Sequence, residues 1–265
     1  MSYNNWIIEN DDDDICWLHL DVADSSTNIL RSDVIDELND IINDLAQSLP
    51  SGIVFVSDKP NGFIAGADIK EFTEIKTVDQ AREMLHRGHE IMNKIESLPC
   101  TSVAMIDGFC LGGGMELALA CTYRVMCDSK STRIGLPEVK LGIHPGYGGT
   151  VRSIQKAGPL AAMNMMLTGR LLQGRAAKAM GLVDDLVPLR QLKRAARYFV
   201  MHRPRSKELS LKDKIMNHRL VRPFIAKQMR KQVASKARQD HYPAPYKLIS
   251  LWQKHMDNLQ RMLKE

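Results

Sequence analysis

A chain of 265 residues can bury a sizeable core, and 44% hydrophobic with 25% charged residues is an ordinary balance for a soluble globular protein. No apolar stretch approaches the roughly 18 residues of a membrane-spanning helix, and Met1-Ser2-Tyr3-Asn4-Asn5 lacks the basic start and apolar run of a signal peptide, so the cytoplasm is the expected location. The net charge of +5 excludes neither acidic nor neutral partners, and the five cysteines, Cys16, Cys100, Cys110, Cys121 and Cys127, sit in apolar segments without metal-ligand spacing, as buried thiols of a reducing compartment do.

Asp11-Asp12-Asp13-Asp14 precedes an apolar strand at residues 15–20 and reads as a hairpin tip or a solvated loop. Ser32 is placed to cap a helix over residues 32–49, with Val34, Ile35, Leu38, Ile41, Ile42 and Leu45 at helical spacing. Pro50-Ser51-Gly52 ends it, and Ile53-Val54-Phe55-Val56 is a continuous apolar run, as a strand covered on both faces requires. A loop over residues 57–70 follows. Thr77 with Gln80 forms a capping box that opens a helix over residues 78–98, stopped by Pro99.

A strand at residues 102–106 turns at Asp107-Gly108, and the chain then enters a helix through Gly112-Gly113-Gly114. Consecutive glycines let backbone approach a ligand closely, and the free N–H groups of a helix start attract negative charge. Glu116 lies in the first turn of that helix, and Glu138 follows a proline 22 residues later. Shorter helices are expected after Pro145, over residues 159–167 and over 174–180; beyond Pro188 nearly everything reads as helix, broken at Pro204, Pro223 and Pro243-Ala244-Pro245. Repeated strand–helix alternation implies an α/β fold with a largely parallel sheet.

Five segments, in order, resemble the crotonase (enoyl-CoA hydratase/isomerase) superfamily: Ala65-Gly66-Ala67-Asp68-Ile69-Lys70, Gly112-Gly113-Gly114-Met115-Glu116-Leu117-Ala118, Gly135-Leu136-Pro137-Glu138-Val139-Lys140-Leu141-Gly142, Pro145-Gly146-Tyr147-Gly148-Gly149-Thr150, and Thr168-Gly169-Arg170 through Gly181-Leu182-Val183-Asp184. The resemblance covers residues 17–188. It implies a spiral of ββα units closed by a C-terminal helical part, and hydration of trans-2-enoyl-CoA in fatty-acid β-oxidation. It further implies Glu116 and Glu138 as the catalytic pair, Ala67 and Gly113 as the backbone donors of an oxyanion hole, and Ala65, Ala67, Asp68 and Ile69 as the coenzyme A contact. Coenzyme A is part of the substrate; no separate cofactor or metal is expected. Alternatives left open are Δ3,Δ2-enoyl-CoA isomerisation as main or second activity, and a non-catalytic module binding RNA or a membrane.

The chemistry fits those residue types. Attack of water at the β-carbon drives negative charge onto the thioester oxygen, where two N–H donors stabilise it. One carboxyl activates the water, assigned to Glu116, and another exchanges a proton at the α-carbon, assigned to Glu138. Crotonase relatives with other chemistries generally carry different residues at one of these positions. His144 reads as a bystander, the methionines Met163, Met165 and Met166 as core filler, and Ser129 and Ser131 lack a nucleophile setting.

From Leu186 onward, 20 Lys and Arg accompany 5 Asp and Glu, a net of +15, against −10 for residues 1–185. Nucleic acid, an anionic membrane or a phosphate-bearing ligand would suit such a split. We read it instead as solvated helix faces in a piece whose neutralising partner is elsewhere, and expect no nucleic-acid partner. His241-Tyr242-Pro243-Ala244-Pro245-Tyr246-Lys247-Leu248-Ile249 resembles the linker after the hydratase half of the multifunctional fatty-acid oxidation α-subunits. We therefore divide the chain into a core, 1–188, and a basic helical segment, 189–265, that ends within a helix and leads toward a dehydrogenase domain further on. In that family the expected partner is a thiolase β-subunit; a homo-oligomer is the alternative.

Overall fold

The apolar runs form nine strands among the described residues, 3–60 and 62–256 of the computed structural model. They are β1 (Trp6–Asn10), β2 (Ile15–Leu20), β3 (Gly52–Ser57), β4 (Gly62–Ile64), β5 (Thr101–Ile106), β6 (Phe109–Leu111), β7 (Tyr123–Cys127), β8 (Arg133–Gly135) and β9 (Asp185–Val187). The helices are α1 (Ser32–Gln47), α2 (Ile69–Glu74), α3 (Val78–Ser97), α4 (Gly113–Ala120), α5 (Gly149–Ala157), α6 (Pro159–Thr168), α7 (Gly174–Met180), α8 (Leu189–His202), α9 (Leu211–Met216), α10 (Arg222–Ala234) and α11 (Pro243–His255).

Strand order shows how the chain winds. The large sheet runs β1-β2-β3-β5-β7-β9 and the small sheet β4-β6-β8. Only β1 and β2 pair antiparallel; all later neighbours are parallel. Each turn therefore leaves one strand in the large sheet and the next in the small one before a helix returns the chain, which is the expected ββα spiral. Asp11 to Asp14 form the β1–β2 hairpin turn, with Asp14 at φ 58°.

Period-two alternation splits the large sheet into two buried faces. Ile53 and Phe55 join the main core with the stripe of α1 (Val34, Leu38, Ile41), while Val54, Val103 and Val125 meet Leu192, Ala196 and Val200 of α8. That double cover is why β3 is apolar at every central position.

The structure differs from the sequence expectations at several points. Ser32 does not cap α1; its N–H and hydroxyl both donate to the Glu71 carboxylate of α2, so capping comes from a distant side chain. The 57–70 loop contains β4 and the start of α2, and β6 precedes the glycine run. Pro223 and Pro243 open helices rather than break them, since an N-terminal turn has no use for the missing N–H. The capping box at Thr77 and Gln80 is present with both of its bonds. The end of the tail, expected to be helical through residue 265, lies beyond residue 256 and so outside the described residues.

Candidate active site

The first wall of the site is the turn after β4. Asn28, fully buried, ties three strand ends together: its side-chain amide donates to Leu20 O (2.8 Å), Ser57 Oγ (2.9 Å) and Phe63 O (3.3 Å). Its backbone carbonyl accepts from Ala65 N (2.8 Å). Leu30 N then donates to Gly66 O (2.8 Å) and Asp68 N to Leu30 O (3.4 Å), a parallel bridge centred on Ala67. In such a bridge Leu30 uses both its groups on the residues flanking Ala67, so the Ala67 N–H faces away from Leu30. Asp68 caps α2 through Lys70 N (2.9 Å), and Ile69 is 57% exposed beside it.

The second wall is the glycine run. Gly112 has φ 51° and ψ −126°, a conformation that only glycine adopts without strain. Gly114 lies against β4, where a methyl group would come within 2.5 Å of Ile64 Cβ. A methyl at Gly113 would sit 3.4 Å from Ala67 N, so the two predicted donors are neighbours. Gly113 is the first residue of α4, and its N–H has no partner within the helix. The structure thus brings Ala67 and Gly113 together.

Two carboxyls close the site, and their surroundings are unequal. Glu116 is 2% exposed, and its Oε1 accepts N–H bonds from Tyr147 and Gly149, each 2.7 Å. Glu138 opens a 3-10 turn, Glu138–Leu141, with Oε1 directed at Gly112, where a methyl would be 3.3 Å away. Both Glu138 oxygens are buried without a hydrogen-bond partner among the described residues.

Burial raises the pKa of both glutamates. For Glu116 the two N–H bonds and the charge of Arg152 oppose that rise. For Glu138 the nearby Glu116 charge adds to it, with only its own N–H acting weakly the other way. Glu116 is therefore the better-stabilised anion and Glu138 the more readily protonated acid. A base and an acid at adjacent positions are what proton transfer to and from a substrate needs.

Sequence reasoning gave no role to four contributors. Asn28 gave no local signal, because its role depends on strands far apart in the chain. Tyr147 and Gly149 entered only within the resembling segment Pro145 to Thr150, without a role, and the argument that the free N–H groups at the start of the Gly112 helix attract negative charge applies to them too. Arg152, 2% exposed, donates to Tyr147 O (3.0 Å), Asn93 Oδ1 (2.7 Å) and Glu96 Oε2 (2.8 Å). His144 is half-buried with Nδ1 3.4 Å from Pro145 O, and burial lowers its pKa. Met163, Met165 and Met166 are core residues, and all five cysteines are buried free thiols. No helix among the described residues is long and apolar enough to cross a membrane.

The spiral of ββα units is the fold of crotonase-like proteins. Residues 13–242 match the family model described as enoyl-CoA hydratase/isomerase, and the chain belongs to that family. It is 42% identical over 243 residues to the fatty acid oxidation complex subunit alpha of Shewanella halifaxensis, covering 90% of this chain and 34% of that protein. To the subunit of the same name from Aliivibrio fischeri it is 38% identical over 237 residues, covering 88% and 34%. The chain thus spans about a third of the length of these curated relatives. Among solved structures, an enoyl-CoA hydratase from Bacillus anthracis superposes with a TM-score of 0.69 at 27% identity, over 87% of this chain and 90% of that one. A Geobacillus kaustophilus structure with a TM-score of 0.70 at 24% identity, over 98% and 89%, shares the fold.

Proposed function

We propose that this chain hydrates trans-2-enoyl-CoA thioesters to 3-hydroxyacyl-CoA in fatty-acid β-oxidation. The observation that carries the reading is the pair of buried, unequally solvated carboxyls, Glu116 and Glu138, set around the glycine run beside the neighbouring Ala67 and Gly113 nitrogens. Water gives its proton to Glu116 as its oxygen bonds to the β-carbon. The electrons of the double bond move onto the thioester oxygen, held by the Ala67 and Gly113 N–H groups; one such donor is worth on the order of 3–4 kcal/mol of barrier. The α-carbon then takes its proton from Glu138, and the carbonyl reforms.

Pantetheine would run along the backbone of Ala65, Ala67, Asp68 and Ile69, where Ala65 and Ile69 are exposed. Names of the relatives, hydratases and α-subunits of fatty acid oxidation complexes, support the substrate class. Moving a double bond from Δ3 to Δ2 needs one carboxyl to carry a proton between two carbons, so the same site serves isomerisation as a second activity. Incubation with crotonyl-CoA should yield 3-hydroxybutyryl-CoA; folded protein that yields none contradicts the reading. Glu116→Gln should abolish hydration and spare part of the isomerisation of a 3-enoyl-CoA. Equal loss of both would sink the division of labour.

A further inference from the structure

Beneath the carboxyl pair lies a buried cation to which the proposed reaction assigns no step. Arg152, in α5, is gripped from one side by α3: its Nε and Nη2 both donate to Glu96 Oε2 (2.9 and 2.8 Å), and Nη2 also donates to Asn93 Oδ1 (2.7 Å). On the other side Nη1 donates to the carbonyl of Tyr147 (3.0 Å). That carbonyl belongs to the turn whose Tyr147 and Gly149 N–H groups hold Glu116 Oε1 at 2.7 Å each. A continuous path therefore runs from Glu96 through Arg152 and the turn to Glu116. Its outer end is wet: the Glu96 side chain is half exposed, while Arg152 is enclosed.

We propose that Arg152 is a positioning residue for Glu116, clamping the 147–149 turn and supplying the positive charge that compensates that carboxylate, with Glu96 setting how much of this charge reaches it. The inference rests on the hydratase reading in which Glu116 is the base. Arg152 is the cation that bears on Glu116, while Glu138 and Tyr147 face it from the 3-10 turn and the 145–149 loop. Around Arg152 itself lie Glu96 and His89 of α3, and the thiol of Cys121 feels Arg124 most among the nearby charges, then Lys156 and Arg152. Burial and the Arg152 charge keep His89 from protonating readily, so it adds no competing cation.

The test is the pH profile of kcat/KM for hydration of crotonyl-CoA in the wild type, Glu96→Gln, Arg152→Gln and Arg152→Lys. The amide introduced by Glu96→Gln keeps an oxygen for the guanidinium to donate to and removes only the charge. The rising limb, which reports the apparent base of the pair, should move to lower pH in Glu96→Gln. It should move about one pH unit higher in Arg152→Gln. Arg152→Lys should restore the limb while kcat stays low, because one ammonium cannot span the three acceptors. Limbs that stay at the wild-type position in folded Glu96→Gln and Arg152→Gln overturn the proposal, and if Arg152→Gln does not fold, Glu96→Gln alone decides. Should the wild type show no turnover, the hydratase reading fails instead. The positional claim is then read from carbon-13 NMR titration of the side-chain carboxyl of Glu116, assigned by its loss in Glu116→Gln. The same opposite shifts support the claim, and their absence overturns it.

Discussion

Glu138 costs the folded chain stability wherever its carboxyl is ionised. Its carboxyl is buried beside another carboxyl with no hydrogen-bond donor among the described residues, so its pKa is raised in the folded state above the ordinary value of about 4.3. A folded-state pKa above the unfolded one means the folded protein holds the proton more tightly. That stability is fully present below the unfolded value and is lost as pH rises through the folded value, about 1.4 kcal/mol for each pH unit between the two. Glu138→Gln removes the penalty. Its melting temperature, relative to the wild type, should therefore rise more at about pH 8 than at about pH 5; an equal offset at both would show that the carboxyl is not held in a raised state. Both glutamates were candidates in the sequence through the family resemblance, but the difference in their surroundings was not legible there. It depends on Tyr147 and Gly149, more than thirty residues from Glu116.

At the scale of elements, legibility followed length and local signals. α3 was readable because its cap, stripe and stop are all local: Thr77 and Gln80 bond reciprocally, Ile91, Met92 and Ile95 are buried, and Pro99 follows. Thr77→Ala should cost about 1 kcal/mol, seen as a lower urea midpoint at an unchanged slope; no change would mean that the exposed helix start is held by other contacts. The small sheet was not readable, since β4, β6 and β8 have three residues each and cannot display a period of two. Ser32 was misread for a related reason: its partner, Glu71, is 39 residues away. The glycine run was legible as a place of close backbone approach, because the positive φ of Gly112 and the close packing of Gly114 against Ile64 are demands that glycine alone meets without strain.

For the whole molecule, the spiral must be closed at both ends. Arg197 of α8 pairs with Asp11 and Asp13 of the first hairpin, tying the acidic turn to the last helix on the sheet. At the other edge Arg124, fully buried on β7, pairs with Asp184 just before β9 and donates to Cys121 O (2.9 Å). Arg124→Met leaves Asp184 without its counter-charge and should destabilise the fold by about 3–5 kcal/mol, measured by urea unfolding; a loss below about 1 kcal/mol would place the closure elsewhere. Part of the charge asymmetry between the chain's two regions is accounted for here, since Arg197 of α8 meets two carboxylates of the acidic hairpin. The largely parallel sheet was legible from strand–helix alternation and its winding into a spiral from the family resemblance, whereas these closures join residues 60 to 186 positions apart.

The measurement that bears most directly on the central claim is the loss of enoyl-thioester absorbance when crotonyl-CoA or 2-decenoyl-CoA is mixed with the wild type and with Glu138→Gln. The account predicts turnover by the wild type on at least one substrate and its loss in a variant that remains folded. Full activity in Glu138→Gln, or a folded wild type inert on both thioesters, would contradict it.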